Sequence, residues 1–180
     1  MLVQSGHLGS PDLFAFSGDQ RYLATASGSD RRVILWQVES GRKLREFSGM
    51  TDYLRSVAMS PDGRFVAAAT GGDPVLVWNA VSGERLHAFT VRNASHVAFT
   101  ANSRYLVLRA WNTVSYFSLE TGAAAGTFES PSGLRPGNDT LSRDGRWMVL
   151  GARDDRSHSL IDTARRTTLQ TFRGHTKPVY

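Results

Sequence analysis

SPDGRFVAAATGGDPVLVWNAVSGERLHAF, residues Ser60 to Phe89, alternates turn signals with apolar runs too short for any helix. Ser60 to Arg64 is rich in residues that tolerate tight-turn backbone angles and bond their own backbone. The run Phe65 to Ala69 follows at once, then a second turn, Gly71 to Pro74, and a second run, Val75 to Trp78. A third turn around Val81 to Gly83 leads to a segment closing on Phe89. Short runs bounded by such turns read as strands, because a helix needs about ten residues or more.

The same phrase recurs on both sides of this stretch. Its large apolar residue is Trp36, Trp78, Phe117 and Ile161 in turn, spaced 42, 39 and 44 apart, and Phe47, Phe89, Phe128 and Phe172 each follow eleven positions later. The opening turn appears as SGDQR (Ser17 to Arg21), SPDGR (Ser60 to Arg64), TANSR (Thr100 to Arg104) and SRDGR (Ser142 to Arg146). After it come the apolar runs Tyr22 to Ala26, Phe65 to Ala69, Tyr105 to Leu108 and Trp147 to Leu150. Alanines dominate the first two runs (Ala24, Ala26, Ala67, Ala68, Ala69), as expected where neighbouring sheets approach closely. A β pattern with a period near 40 is the signature of propeller blades, whose core comes from stacking one small sheet on the next.

Together these residues resemble the WD-repeat β-propeller family: Gly6-His7 ahead of the first strand, the PDG-type turn, a small-residue strand, an Asp-bearing turn and a strand ending on Trp. The resemblance covers essentially all 180 residues. It implies an all-β fold, a β-propeller of four-stranded antiparallel blades with about four blades in an incomplete ring. The expected blades run roughly 7–47, 50–89, 91–128 and 132–172, with 174–180 opening a further repeat. Because family propellers usually carry more blades, the resemblance also implies a segment of a larger ring, whose exposed blade faces would favour self-association.

The resemblance further implies a structural tetrad of His7, Ser27, Asp30 and Trp36, in which carboxylate, imidazole, hydroxyl and indole share buried hydrogen bonds. Later repeats depart from it: Met50 stands where His is expected, Asn112 replaces the turn Asp, and Phe117 and Ile161 replace Trp. Asp139 occupies the first-strand position held elsewhere by Phe14, Val57 and Val97, where a buried unpaired carboxylate would be costly.

Composition narrows the chemistry. No cysteine is present, which removes disulfides, thiolate metal sites and a Cys nucleophile. No window approaches 18 apolar residues and the N-terminus carries no signal-peptide pattern, so a cytoplasmic protein without a membrane partner is expected. The net charge of +5 is carried mostly by scattered Arg, a distribution that fits a solvated face better than a nucleic-acid interface. The five histidines show no metal-ligand spacing, the adjacent Asp154 and Asp155 point opposite ways on an extended segment, and no nucleophile or phosphate-binding motif occurs. The expectation is therefore no enzyme, no cofactor and no metal.

Function is then expected on the loops, where sequence departs from the repeat without a packing reason. Trp111 aligns with Gly72 of the second repeat; Tyr53 and Arg55 enter the second blade; Arg153 lies beside the fourth blade's turn. Aromatic and Arg side chains dominate binding energy at interfaces. The reading is a non-catalytic scaffold presenting these residues to a protein or peptide. Two others stay open at this point: a propeller enzyme or small-ligand sensor using the central channel, and a nucleic-acid-associated subunit.

Overall fold

In the computed structural model, residues 6–72, 74–111, 113–129, 140–142, 146–151, 157–162, 165 and 167–174 are described. Among them the chain forms four antiparallel sheets of four strands each. The first holds β1 (Leu13–Phe16), β2 (Tyr22–Ser27), β3 (Arg32–Gln37) and β4 (Lys43–Phe47). The second holds β5 (Leu54–Met59), β6 (Phe65–Thr70), β7 (Val75–Asn79) and β8 (Arg85–Phe89). The third holds β9 (Ala94–Phe99), β10 (Tyr105–Ala110), β11 (Thr113–Ser118) and β12 (Ala124–Glu129). The fourth holds β13 (Thr140–Leu141), β14 (Trp147–Gly151), β15 (Ser157–Asp162) and β16 (Thr167–Arg173). Strands pair in chain order throughout, so each sheet is an up-and-down blade.

The turn between first and second strand owes its sequence to a repeated hydrogen-bond set. Ser17 Oγ–H donates to Asp19 Oδ1 at 2.6 Å and accepts the Tyr22 N–H at 3.1 Å, while Asp19 Oδ1 also takes the Arg21 N–H at 3.1 Å. Ser60, Asp62 and Arg64 repeat this with Phe65, and Thr100, Asn102 and Arg104 with Tyr105. Ser142 Oγ accepts the Trp147 N–H in the fourth blade. The turn also needs one left-handed residue, supplied by Gln20 (φ 61°), Gly63 (φ 73°) and Ser103 (φ 54°).

Alternation along the strands sends one face of each blade toward the next. Ala24, Ala26, Val33, Leu35 and Phe47 of the first blade pack against Val57, Met59, Val66, Ala68, Leu76 and Trp78 of the second. Val75, Val77 and Phe89 then meet Val97, Phe99, Leu106 and Leu108, and Val107, Val114 and Tyr116 meet Met148 and Ile161. Ala24, Ala26, Ala67, Ala68 and Ala69 are all fully buried, consistent with closely approaching sheets. The first strands of successive blades touch, β1 with β5 and β5 with β9, which places them around the common axis of a β-propeller.

Each pairing of third and fourth strand shifts register at the recurrent large residue: between Leu35 and Trp36, Val77 and Trp78, Tyr116 and Phe117, and Leu160 and Ile161. Such a bulge increases local twist and turns the outermost strand relative to the inner three.

Candidate functional site

The polar network of the first blade forms around Thr25. Asp30 Oδ2 accepts the His7 Nδ1–H at 2.8 Å, and both side chains are almost wholly buried. Trp36 Nε1–H donates to Thr25 Oγ1 at 2.8 Å, and Thr25 Oγ1 lies 2.7 Å from His7 Nε2. With its lone pair taking the indole proton, the Thr25 hydroxyl donates to His7 Nε2, so every group is satisfied with the imidazole proton on Nδ1. Asp30 is held further by the Leu8 and Arg32 backbone N–H groups. The network ties the segment before the first blade to β2 and β3.

The hydroxyl expected from Ser27 comes instead from Thr25. Both residues lie on the same face of β2, but Trp36 pairs with Leu23, so Thr25 is its next same-face neighbour and Ser27 lies one step farther. Ser27 Oγ sits 3.2 Å from Ser29 Oγ. The Thr25 register is occupied by Ala68, Leu108 and Leu150 in the other blades, none of which can join such a network. Trp78 of the second blade is 2% exposed and packs on Phe47 with ring centroids 5.5 Å apart. Asp73, Asn112, Asp139, Asp155 and Arg153 lie outside the described residues.

The loops joining second to third strands and one blade to the next share one end of the propeller. Trp111 stands there, 69% exposed at φ 50°, between β10 and β11. A bulky aromatic in the left-handed region is a strained outlier. Tyr53, 52% exposed, lies with its ring against Gly28, where any β-carbon would overlap it. Its carbonyl accepts the Gly71 N–H at 2.9 Å, and the neighbouring Leu54 N–H bonds the Gly28 carbonyl at 3.2 Å. Two blades thus hold Tyr53 in place.

Arg55 projects from the bulge between Leu54 and Ser56, exposed, with its guanidinium beside Gly71 and with Asp52 against Gly71 and Gly72. Ser56 Oγ, buried behind it, accepts the Val97 N–H at 3.2 Å and joins the inner strands of the second and third blades. Tyr53 and Arg55 therefore form one cluster at the first-to-second blade junction, while Trp111 belongs to the third blade. His96 is exposed on β9, between half-buried Ser95 and buried Val97.

At the axis a cavity of about 470 Å³ is lined by Ala15, Phe16, Val57, Met59, Val97 and Phe99 among others. Among the described residues no group of three His, Cys, Asp or Glu could hold a metal ion. Among them, too, no helix is long and apolar enough to cross a membrane.

Comparison with known proteins agrees with this architecture. The family model "WD domain, G-beta repeat" matches residues 2–37 and 41–78. The small ribosomal subunit protein RACK1 of Neurospora crassa is 24% identical over 121 residues, covering 66% of this chain and 38% of that protein. The p21-activated protein kinase-interacting protein 1-like of Xenopus laevis is 26% identical over 172 residues, covering 94% of this chain and 45% of that protein. The chain thus spans less than half the length of these relatives. Among solved structures, the hydrazine synthase of Kuenenia stuttgartiensis superposes with a TM-score of 0.78 at 17% identity, over 99% of this chain and 54% of that one, a likeness of fold. The family model thus identifies WD repeats in the first two blades, and the third and fourth blades repeat the same turns and the same four-stranded architecture.

Proposed function

We propose that this chain is a non-catalytic scaffold that holds a protein or peptide segment on the loop face bearing Trp111, Tyr53 and Arg55. The observation carrying the proposal is Trp111: a large apolar side chain, 69% exposed, on a backbone at φ 50°. Such a residue costs stability in strain and in exposed apolar surface, and neither is offset by packing within its own blade. Burying the indole against a partner removes the second of these. Tyr53 and Arg55 add an aromatic and a cationic contact on rigid supports, the side-chain types that dominate interface energies. Arg153, which lies outside the described residues, is proposed as a further contact to the same partner. The Xenopus laevis relative is named for an interaction with a protein kinase, which supports a protein partner as the class.

Selection of binders from a displayed peptide library, followed by Trp111→Ala and Arg55→Ala, tests this reading. The expected result is a loss of about thirtyfold or more in affinity for Trp111→Ala, with the melting temperature unchanged or raised. Binders that tolerate both substitutions would overturn it.

A second reading rests on the axial cavity of about 470 Å³, a volume suited to a small apolar ligand. A ligand-dependent rise in melting temperature, abolished by Phe16→Asp and indifferent to Trp111→Ala, would favour it.

A further inference from the structure

The junction of the second and third blades holds a cavity of about 560 Å³ at the end of the propeller opposite Trp111. That volume lies within the range that specific ligand pockets occupy. Its apolar wall is Phe65 and Leu86 of the second blade and Leu119 of the third. Phe65 stacks on Phe99 with ring centroids 6.3 Å apart, and the Arg64 guanidinium lies over its ring at 5.2 Å. Two bonds across the junction hold the walls. The Leu119 carbonyl accepts the His87 Nε2–H at 2.8 Å, and the Asp62 N–H donates to Ser103 Oγ at 3.3 Å. The cavity is therefore set in shape before anything enters it, which lowers the ordering cost of binding.

The amides around it are committed on their acceptor side. Asn79 Oδ1 takes the Val81 and Ser82 N–H groups, and Asn102 Oδ1 takes the Arg104 N–H and the Thr100 hydroxyl. Each amide keeps its NH2 group as a donor toward a ligand. Arg104 and Glu120 are exposed, and among the described residues neither forms an ion pair. Asp62 and Glu120 balance Arg64 and Arg104 across the lining, so a polyanion such as a phosphodiester chain meets repulsion as well as attraction. An amide chain suits the lining better: its carbonyls meet the N–H donors, and an apolar side chain meets Phe65, Leu86 and Leu119. Arg64 is spread on the Phe65 ring, which leaves Arg104 as the cation for a single carboxylate. We propose that this cavity binds an extended peptide segment of a partner protein, one carrying an aliphatic or aromatic side chain next to an aspartate or glutamate. The loop face bearing Trp111 plays no part in it.

Selection from a displayed peptide library against the Trp111→Ala chain tests the proposal, because that background removes the anchor of the loop face. The selected peptides are expected to share an apolar residue beside an acidic one, and to shift the methyl signals of Leu86 and Leu119 on binding. Arg104→Glu should weaken them about tenfold or more, and Glu120→Arg should strengthen them. Both side chains are exposed, so melting temperatures should stay at the parent value and separate lost binding from lost fold. Replacing the peptide's acidic residue by Lys should restore binding to the Arg104→Glu variant. A Trp111→Ala chain that yields no binders overturns the proposal, as do binders indifferent to Arg104→Glu or peptides that leave the Leu86 and Leu119 signals unmoved. A polyanionic oligonucleotide that displaces the peptides with equal affinity overturns the choice of ligand.

Discussion

His87 of β8 reaches across a blade boundary: its Nε2–H donates to the Leu119 carbonyl at 2.8 Å, and the ring lies against Gly122 in the same turn. Arg45 at the equivalent register of β4 lies against Gly83 in the same way. The outer strand of one blade thus covers the last turn of the next. His87→Ala is expected to lower stability by about 1 kcal/mol, with an unchanged denaturant slope. Urea titration followed by Trp fluorescence measures it; an unshifted midpoint would remove the contact from the account.

Thr25 supports both His7 and Trp36 through one oxygen. Thr25→Val keeps the shape and strands two buried polar groups, so a loss of about 2 to 4 kcal/mol is expected. Thr25→Ser should recover most of it, and Ser27→Ala should cost much less. Equal losses from Thr25→Val and Ser27→Ala in thermal unfolding would return the role to Ser27.

Gly18 approaches the second blade so closely that an added β-carbon would lie 2.5 Å from the Pro61 carbonyl oxygen, the atom its own N–H bonds at 3.0 Å. Gly18→Ala is expected to destabilise by about 1 to 3 kcal/mol through backbone displacement. At Gln20, φ 61°, the opposite substitution to Gly relieves left-handed strain and should stabilise by up to about 1 kcal/mol. Calorimetry of both variants reads the pair of opposite signs; a stabilising Gly18→Ala would contradict the contact.

Glu46 accepts a hydrogen bond from Lys43 Nζ at 2.7 Å and one from Arg32 Nη1 at 3.0 Å. The Lys43 bond is the largest influence holding its carboxyl below the ordinary 4.5. A carboxyl depressed in the folded state contributes stability above its ordinary value, and that contribution fades as pH falls through the folded one. Asp19, lowered chiefly by the Ser17 hydroxyl, acts in the same direction. Glu46→Gln should therefore leave a shallower loss of stability below about pH 4.5. Identical acid limbs for variant and parent would refute it.

The repeat was legible because its signals are local. Ser17, Asp19 and Arg21 bond one another within five residues, so the turn writes itself into consecutive letters, and the closing Phe47 and Phe89 follow at fixed distance. Thr25 was not legible, because strand alternation puts Thr25 and Ser27 on one face and only the cross-strand register with Trp36 separates them. Trp111 stood out as a Trp where the second repeat has Gly72, but its left-handed backbone belongs to the folded chain. Phe47 and Phe172 occupy one position in the repeat; what lies beyond the blade, and not the residue, sets their burial.

On the end of the propeller opposite Trp111, Gly18 N–H bonds the Pro61 carbonyl and the Asp62 N–H bonds Ser103 Oγ, so the hairpin of each of the first two blades is stitched to the hairpin of the next. A row of repeats whose neighbours are only stacked can melt from one end, unit by unit. Stitches that run from hairpin to hairpin raise the penalty for a boundary between a formed and an unformed blade. Melting of the first three blades should then be a single event, with no stable stage at which one of them has let go alone.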